Sequence, residues 1–223
     1  MKKAVHFDMD GILYDSEQFY MNGTVKVMRD LGYNGPEERL YAVVGTTADG
    51  TWQILYDLLE GNCTRHEIEQ AWISYNKAHP LDFKSVMFDD IPQTLERLKR
   101  HGFLMTCCSS NSPKVIHRSL EAMGIAGYFS FTVSSEEIER AKPDPMIYLL
   151  AAEKVGVPPE HCYVYEDSAP GIEAGRRAGM TVIARRDDRF RQNQSRADKI
   201  VMNASQMASF VIGEETNAGS NKD

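Results

Sequence analysis

No run in this sequence approaches the roughly 20 consecutive apolar residues that a bilayer-crossing helix requires. The apolar stretch behind Met1-Lys2-Lys3 is broken at Asp8, too early for a secretory leader. Cysteine is scarce. Cys63, Cys107, Cys108 and Cys162 show neither CxxC spacing nor the density of a disulfide scaffold, and Cys107 and Cys108 read as reduced residues of a buried strand. Basic residues are in deficit, 25 Lys and Arg against 32 Asp and Glu for a net charge of -7. No basic run interleaved with aromatics reverses that field locally, which argues against nucleic acid as a partner. These absences give the expectation of a soluble, cytoplasmic protein with neither a membrane nor a nucleic-acid partner. What remains is ordinary for a globular chain, 42% hydrophobic and 26% charged over 223 residues, enough for one large domain or a domain with a smaller insert.

Residues 3 to 7, Lys-Ala-Val-His-Phe, read as a buried strand that stops at an acidic cluster and Gly11. Helical spacing follows in three stretches: Ser16 to Leu31 through Tyr20, Val27, Met28 and Leu31; then Trp52, Leu55, Tyr56 and Leu59; then a helix opening at Thr64, where Thr64 and Glu67 have capping-box spacing. Three helices with no strand between them predict an inserted helical domain over 16–83. Beyond it the pattern alternates: helix Pro92 to Arg100, strand Phe103 to Cys108, a helix started by Ser112-Pro113, strand Tyr128 to Val133, helix Pro145 to Val155, strand Cys162 to Tyr165, helix Ala169 to Ala178 and strand Thr181 to Ala184. Such alternation predicts a Rossmann-like, doubly wound parallel α/β sheet built from residues 1–15 and 84–212, with its ligand site beyond the carboxyl ends of the strands. The tail 213–223 lacks apolar anchors and reads as frayed.

Four segments place polar residues just after predicted strands. In Asp8-Met9-Asp10-Gly11 two carboxylates leave the first strand together. At ~4 Å and an effective dielectric near 20 they repel by ~4 kcal/mol, so a cation or a proton belongs between them; DxDG also occurs in calcium loops and plain turns. After the second strand comes Ser109-Ser110-Asn111-Ser112. Ser110, with Asn111 beside it, is the candidate anion ligand, and Ser112 suits a helix cap. Lys142, set before Pro143 in Arg140-Ala141-Lys142-Pro143-Asp144-Pro145, is a stiffly held candidate for neutralising an anion, against the usual solvated lysine. Tyr165-Glu166-Asp167-Ser168 again sets two acids at a strand end, although Asp167 also suits a helix N-cap. Acids converging on one sheet edge call for a hard divalent ion with oxygen ligands, and beside phosphate that ion is magnesium.

These four segments, in this order, resemble the haloacid dehalogenase superfamily of phosphatases and phosphomutases, and the helical insert after the first strand resembles the beta-phosphoglucomutase-like branch. The resemblance covers roughly residues 4 to 186. It implies Asp8 as nucleophile, Asp10 as general acid and then base, and Ser110, Asn111 and Lys142 as phosphate holders. It also implies Mg2+ held by Asp8, the Asp10 carbonyl and Asp167, with Glu166 in or near the shell, and a small phosphate ester, a sugar phosphate above all, as substrate. Where the mutase of this branch carries a histidine on the first cap helix and an arginine in a cap loop, this chain reads Phe19-Tyr20-Met21 and Gly45-Thr46-Thr47-Ala48-Asp49. Hydrolysis is therefore favoured over phosphoryl transfer between sugar positions. Cap closure is expected to exclude water, with hinges near Tyr14 to Ser16 and Asp82 to Ser85.

Two rivals follow from the same residues. One is a phosphomutase acting on a sugar 1-phosphate. The other is a signalling receiver or a non-catalytic binding protein; chain order argues against the receiver, because the candidate nucleophile follows the first strand and a large insert comes next. Elsewhere, His6 reads as a hydrogen-bonded core histidine, while His66, His79, His101, His117 and His161 lack metal-ligand spacing. The Met and aromatic positions of the cap helices read as core. Gly171, Gly175 and Gly179 read as packing and helix-ending residues.

Overall fold

A computed structural model describes residues 3–46, 48–190 and 193–219. The chain divides into two compact units, Met1–Tyr14 with Phe83–Asp223, and Asp15–Asp82. In the first, β1 (Ala4–Phe7) has all four residues buried, as a central strand covered on both faces must be. The second unit contributes α1 (Ser16–Asp30), α2 (Ala48–Leu58) and α3 (Arg65–Ala78). The first unit resumes with α4 (Ile91–Arg100), β2 (Leu104–Ser109), α5 (Pro113–Ala122), β3 (Phe131–Ser134), α6 (Met146–Val155) and β4 (Cys162–Glu166). It ends with α7 (Ala169–Arg177), β5 (Thr181–Arg185), β6 (Lys199–Val201) and α8 (Ala204–Gly219).

The six strands form one sheet in the order β3-β2-β1-β4-β5-β6, and every pairing is parallel. The parallel α/β class read from the strand and helix alternation is therefore observed. Connections run outward from β1 in both directions, so the strand order reverses there, and the crevice at that reversal is where such sheets bind ligands. The register brings the relevant ends together. Phe7 lies opposite Cys107 on one side and Tyr165 on the other, so the residues that follow in all three strands emerge at one edge.

Several boundaries differ from the sequence reading. β2, β4 and β5 each run one residue further, to Ser109, Glu166 and Arg185. The stretch read as a strand from Tyr128 opens as a 3-10 turn, Ala126–Tyr128, and pairs only from Phe131. β6 was not read at all; its three residues are too few for a period to show. The backbone of α8 is helical as far as Gly219, past the point at which the sequence reading ended the core, and residues 220–223 lie outside the described residues. None of the helices among the described residues is long and apolar enough to cross a membrane.

In the second unit, Thr64 forms the complete capping box with Glu67 that its spacing predicts. Met28, Leu40, Leu55 and Ile68 supply the interior. Trp72 Nε1 donates to Thr24 Oγ1 at 3.2 Å, joining α3 to α1. The aromatic positions read as core are only partly so: Tyr20 is exposed, and Trp52 and Trp72 are half-buried. Thr47, in the cap loop singled out from the sequence, lies outside the described residues.

Candidate active site

Asp8 is the first residue beyond β1, and its amide still bonds to the Tyr165 carbonyl of β4 at 2.9 Å. The β-ladder thus fixes its backbone. Its side chain meets the Lys142 ammonium at 2.5 Å, and the same nitrogen lies 2.7 Å from Glu166 Oε1. The Lys142 side chain is 8% exposed, and its Nζ sits 5.2 Å from the centre of the Tyr148 ring, whose hydroxyl donates to Glu166 Oε1. Burial alone would lower the Lys142 pKa, but Asp8 and Glu166 outweigh it and hold the ammonium well above the ordinary lysine range.

Glu166 is completely buried. Its Oε1 accepts from Lys142 and Tyr148, and its Oε2 accepts from the amides of Asp167 and Ser168 and from the Ser168 hydroxyl. Burial pushes its pKa up, and Lys142 with the Ser168 bonds overcome that and keep it low. A Cβ on Gly171 would overlap the Glu166 carboxylate, so this glycine, read as a helix-packing residue, keeps open the space that the acid occupies. Ser168, not Asp167, caps α7, accepting from the Gly171 amide.

The Asp167 carboxylate lies in the acidic cluster. Its oxygens, with those of Asp8 and Glu166, can lie within 4.8 Å of one another. Gly11, at φ +71°, carries no side chain where a Cβ would overlap Asp167, so the DxDG turn and this carboxylate fit against each other only through a glycine. Gln194 Nε2 holds the Asp167 carbonyl at 2.7 Å. Asp8 is pushed up to about 7 by burial first, with Lys142 opposing and Glu166 and Asp10 adding to the rise. Three acids facing one ammonium leave an excess of negative charge in a buried place, and a divalent cation would offset it. The donor set is all oxygen, which suits magnesium. Because Glu166 already accepts five hydrogen bonds, Asp8 and Asp167 are the side chains fitted to hold the ion, and Glu166 is fitted to hold Lys142.

Asp10 faces different neighbours. Its Oδ1 accepts from the Tyr14 hydroxyl at 2.9 Å and its Oδ2 from Asn111 Nδ2 at 2.6 Å. Asn111, read as a phosphate holder, thus has its amide on the second acid of the DxD segment. The same amide nitrogen lies 3.2 Å from Ser109 Oγ, which also accepts from the Asn111 backbone amide. Ser110 is exposed, and its carbonyl accepts from the Ser135 hydroxyl. The structure therefore does not bring the Ser110 hydroxyl to the cluster; the buried hydroxyl at this strand end is Ser109. The sequence offered two adjacent serines, and only the extra residue of β2 decides between them. Tyr14, Tyr148 and Gln194 were also missed; each lies outside the polar segments that follow the strands. Ser112 stands at the N-cap of α5 without a side-chain capping bond.

His6 is fully buried in β1, bonded to Thr106 Oγ1 at 2.7 Å, as its core reading requires. Burial lowers its pKa to about 4. All four cysteines are free.

A parallel α/β core with acids, a lysine and hydroxyls at the sheet's reversal point defines an enzyme site for an anionic ligand. Residues 5–185 match the family model for haloacid dehalogenase-like hydrolases, and the chain belongs to that family. It is 28% identical to a phosphorylated carbohydrates phosphatase of Thermotoga maritima, over 81% of this chain and 83% of that one. It is 29% identical to the fructose-1-phosphate phosphatase YqaB of Escherichia coli, over 79% and 93%. The fold is shared with a beta-phosphoglucomutase from Clostridium difficile, at a TM-score of 0.70 and 19% identity over the whole of both chains. It is shared too with a hydrolase of the family from Deinococcus radiodurans, solved with bound phosphate and sodium, at 0.76 and 23% over 92% and 93%.

Proposed function

We propose that this protein is a magnesium-dependent phosphatase that hydrolyses a small phosphorylated metabolite, a sugar phosphate by class, through an aspartyl-phosphate intermediate, an acyl phosphate on Asp8. The observation that carries this reading is the Lys142 ammonium 2.5 Å from the Asp8 carboxylate, beside Asp167. An anion approaching a carboxylate needs such positive charge, and the relatives named as sugar-phosphate phosphatases favour the substrate class.

Asp8 and Asp167, with the Asp10 carbonyl that the family resemblance adds, would hold the ion. When bound it supplies positive charge that lowers the repulsion between phosphate and nucleophile. The chain's own residues do the rest. An Asp8 oxygen attacks phosphorus as the ester P–O bond breaks, and the proton on Asp10 passes to the leaving oxygen, giving the free alcohol. Asp10, now ionised, takes a proton from water. The water oxygen attacks phosphorus, the bond to Asp8 breaks, and inorganic phosphate leaves. Lys142 stays charged throughout, braced by Glu166, and Ser109, the buried hydroxyl at the end of β2, is the candidate for a further phosphate contact. Four free cysteines fit the cytoplasmic setting of this reading.

The test is a panel of phosphorylated metabolites that includes fructose 1-phosphate and glucose 1-phosphate, assayed with magnesium, with excess chelator and with Asp8→Asn. Release of inorganic phosphate that needs both the ion and Asp8 is expected. Undiminished turnover by Asp8→Asn, or in chelator, overturns the reading, and glucose 6-phosphate as the product from glucose 1-phosphate would replace hydrolysis by transfer.

A further inference from the structure

Tyr14 is 1% exposed, and a tyrosine hydroxyl buried this deeply needs a partner. It finds one in Asp10 Oδ1 at 2.9 Å. Everything around the ring fixes where that hydroxyl lies. The Tyr14 carbonyl accepts from the Gly11 amide at 3.0 Å, closing the loop on itself, and Leu13 N bonds to Met9 O at 2.9 Å within the same loop. Outside the loop, Phe88 N reaches the Leu13 carbonyl and Tyr14 bridges to Met87. The ring packs edge-on against Phe83 at 5.3 Å, and Arg118 lies over the other ring of that pair. Tyr14 and Phe83 are the residues at which the chain leaves and re-enters this unit, so the pair pins both crossings beside Asp10. On the other carboxylate oxygen Asn111 completes the grip.

We propose that Tyr14 is a positioning residue: its hydroxyl, with the Asn111 amide opposite, holds the Asp10 carboxyl in the one orientation that presents its proton to the leaving oxygen. This rests on the function proposed above. A carboxylate has four lone-pair directions, so donors held on both of its oxygens remove rotation about the Cβ–Cγ bond without taking every direction that a proton could use. Proton delivery depends on that geometry, and its value depends on the leaving group: an alkoxide needs the proton as the P–O bond breaks, whereas p-nitrophenolate leaves with little help.

Tyr14→Phe keeps the ring against Phe83 and removes only the hydroxyl. The measurement is kcat/KM for the best alkyl phosphate of the panel divided by kcat/KM for p-nitrophenyl phosphate, for wild type, Tyr14→Phe and Asp10→Asn. The fraction of correctly folded protein cancels in this ratio, so a merely structural role leaves it unmoved. The ratio is expected to fall about tenfold in Tyr14→Phe and about 1,000-fold in Asp10→Asn, within the span of a positioned acid. If Asp10→Asn lowers it and Tyr14→Phe does not, the positioning role is overturned and the acid role stands. If neither lowers it, Asp10 is not the proton donor and both fall.

Discussion

Asp8 and Asp10 are two residues apart in one turn, yet they have been given opposite surroundings. Asp8 is buried among charges, an ammonium at 2.5 Å and the carboxylates of Glu166 and Asp167. Asp10 is half-buried between two neutral donors, a phenol and an amide. The difference teaches that the different work proposed for the two acids rests on their neighbours: Lys142 and Glu166 from distant segments beside Asp8, and Tyr14 of the same loop with Asn111 beside Asp10. A cation braced by a second acid suits a nucleophile that must meet an anion. Neutral donors that fix a carboxyl without charging the space around it suit a group that gives and takes a proton.

Substitutions on the Asp8 side should show the larger effects. Asp8→Asn should lower kcat by about 10,000-fold or more, since no other carboxylate replaces the nucleophile; phosphate release assays that find even a tenth of wild-type turnover would erase the contrast between the two acids. Lys142→Met should lower kcat/KM by about 100- to 1,000-fold. It should also destabilise the fold by about 3–5 kcal/mol, because Asp8 and Glu166 then face each other without the ammonium. A urea titration of the metal-free protein checks the second figure; an unchanged midpoint would mean that Lys142 is not the brace described.

Gly171→Ala sharpens the same side from behind. The added methyl meets a Glu166 carboxylate held by five hydrogen bonds, and the strain should reach about 3 kcal/mol, the upper range of overpacking. Gly179→Ala cannot serve as its control, since Gly179 has φ +75°; Gly213→Ala, with nothing near a Cβ, can. Equal urea midpoints for the two variants would show that Glu166 has room to move.

The smallest effect is expected beneath the Asp8 side, at His6. Its folded pKa of about 4 lies below the unfolded value of 6.5, so its contribution is fully present above pH 6.5 and is lost as pH falls towards 4. Between pH 7 and pH 5 wild type should lose about 2 kcal/mol from this residue alone. The pair His6→Val with Thr106→Val, which removes both hydrogen-bonding partners together, should lose correspondingly less over that interval. Identical pH slopes in urea unfolding would place the acid sensitivity elsewhere.

Much of the fold was legible because its signals are local. The capping box at Thr64, the strand that ends at Asp8 and the strand and helix alternation after Pro92 all depend on residues within a few positions of each other. The acidic pairs and Lys142 were legible only as a set: each alone has a common structural use, in a turn, a helix cap or a solvated surface, and the recurrence of polar groups after successive strands is what pointed to a site. The choice of Ser109 over Ser110, the turn of Asn111 towards Asp10, and the parts of Tyr14 and Tyr148 were not. A tyrosine in an apolar stretch reads as core, and both are indeed buried; the bonds that their hydroxyls make to Asp10 and Glu166 are invisible to periodicity. β6 was missed because three residues show no period; α8 was missed although Asn203, whose Oδ1 accepts from the Gln206 amide at 3.0 Å, stands as a cap at its start.

The sequence by itself determined the class of fold, the order of the strands along the chain and which acids and which lysine end at strand edges, since short-range spacing and burial patterns encode these directly. Only the tertiary structure decided which carboxylate faces the ammonium, which oxygens are already taken by protein donors and which hydroxyl reaches inward. Those outcomes depend on the parallel register of β1 and β4, which sets the ends at Asp8 and Glu166 side by side, and on the loop before α6, which brings the Lys142 ammonium to within 2.7 Å of both acids; no interaction at such sequence separation leaves a local trace.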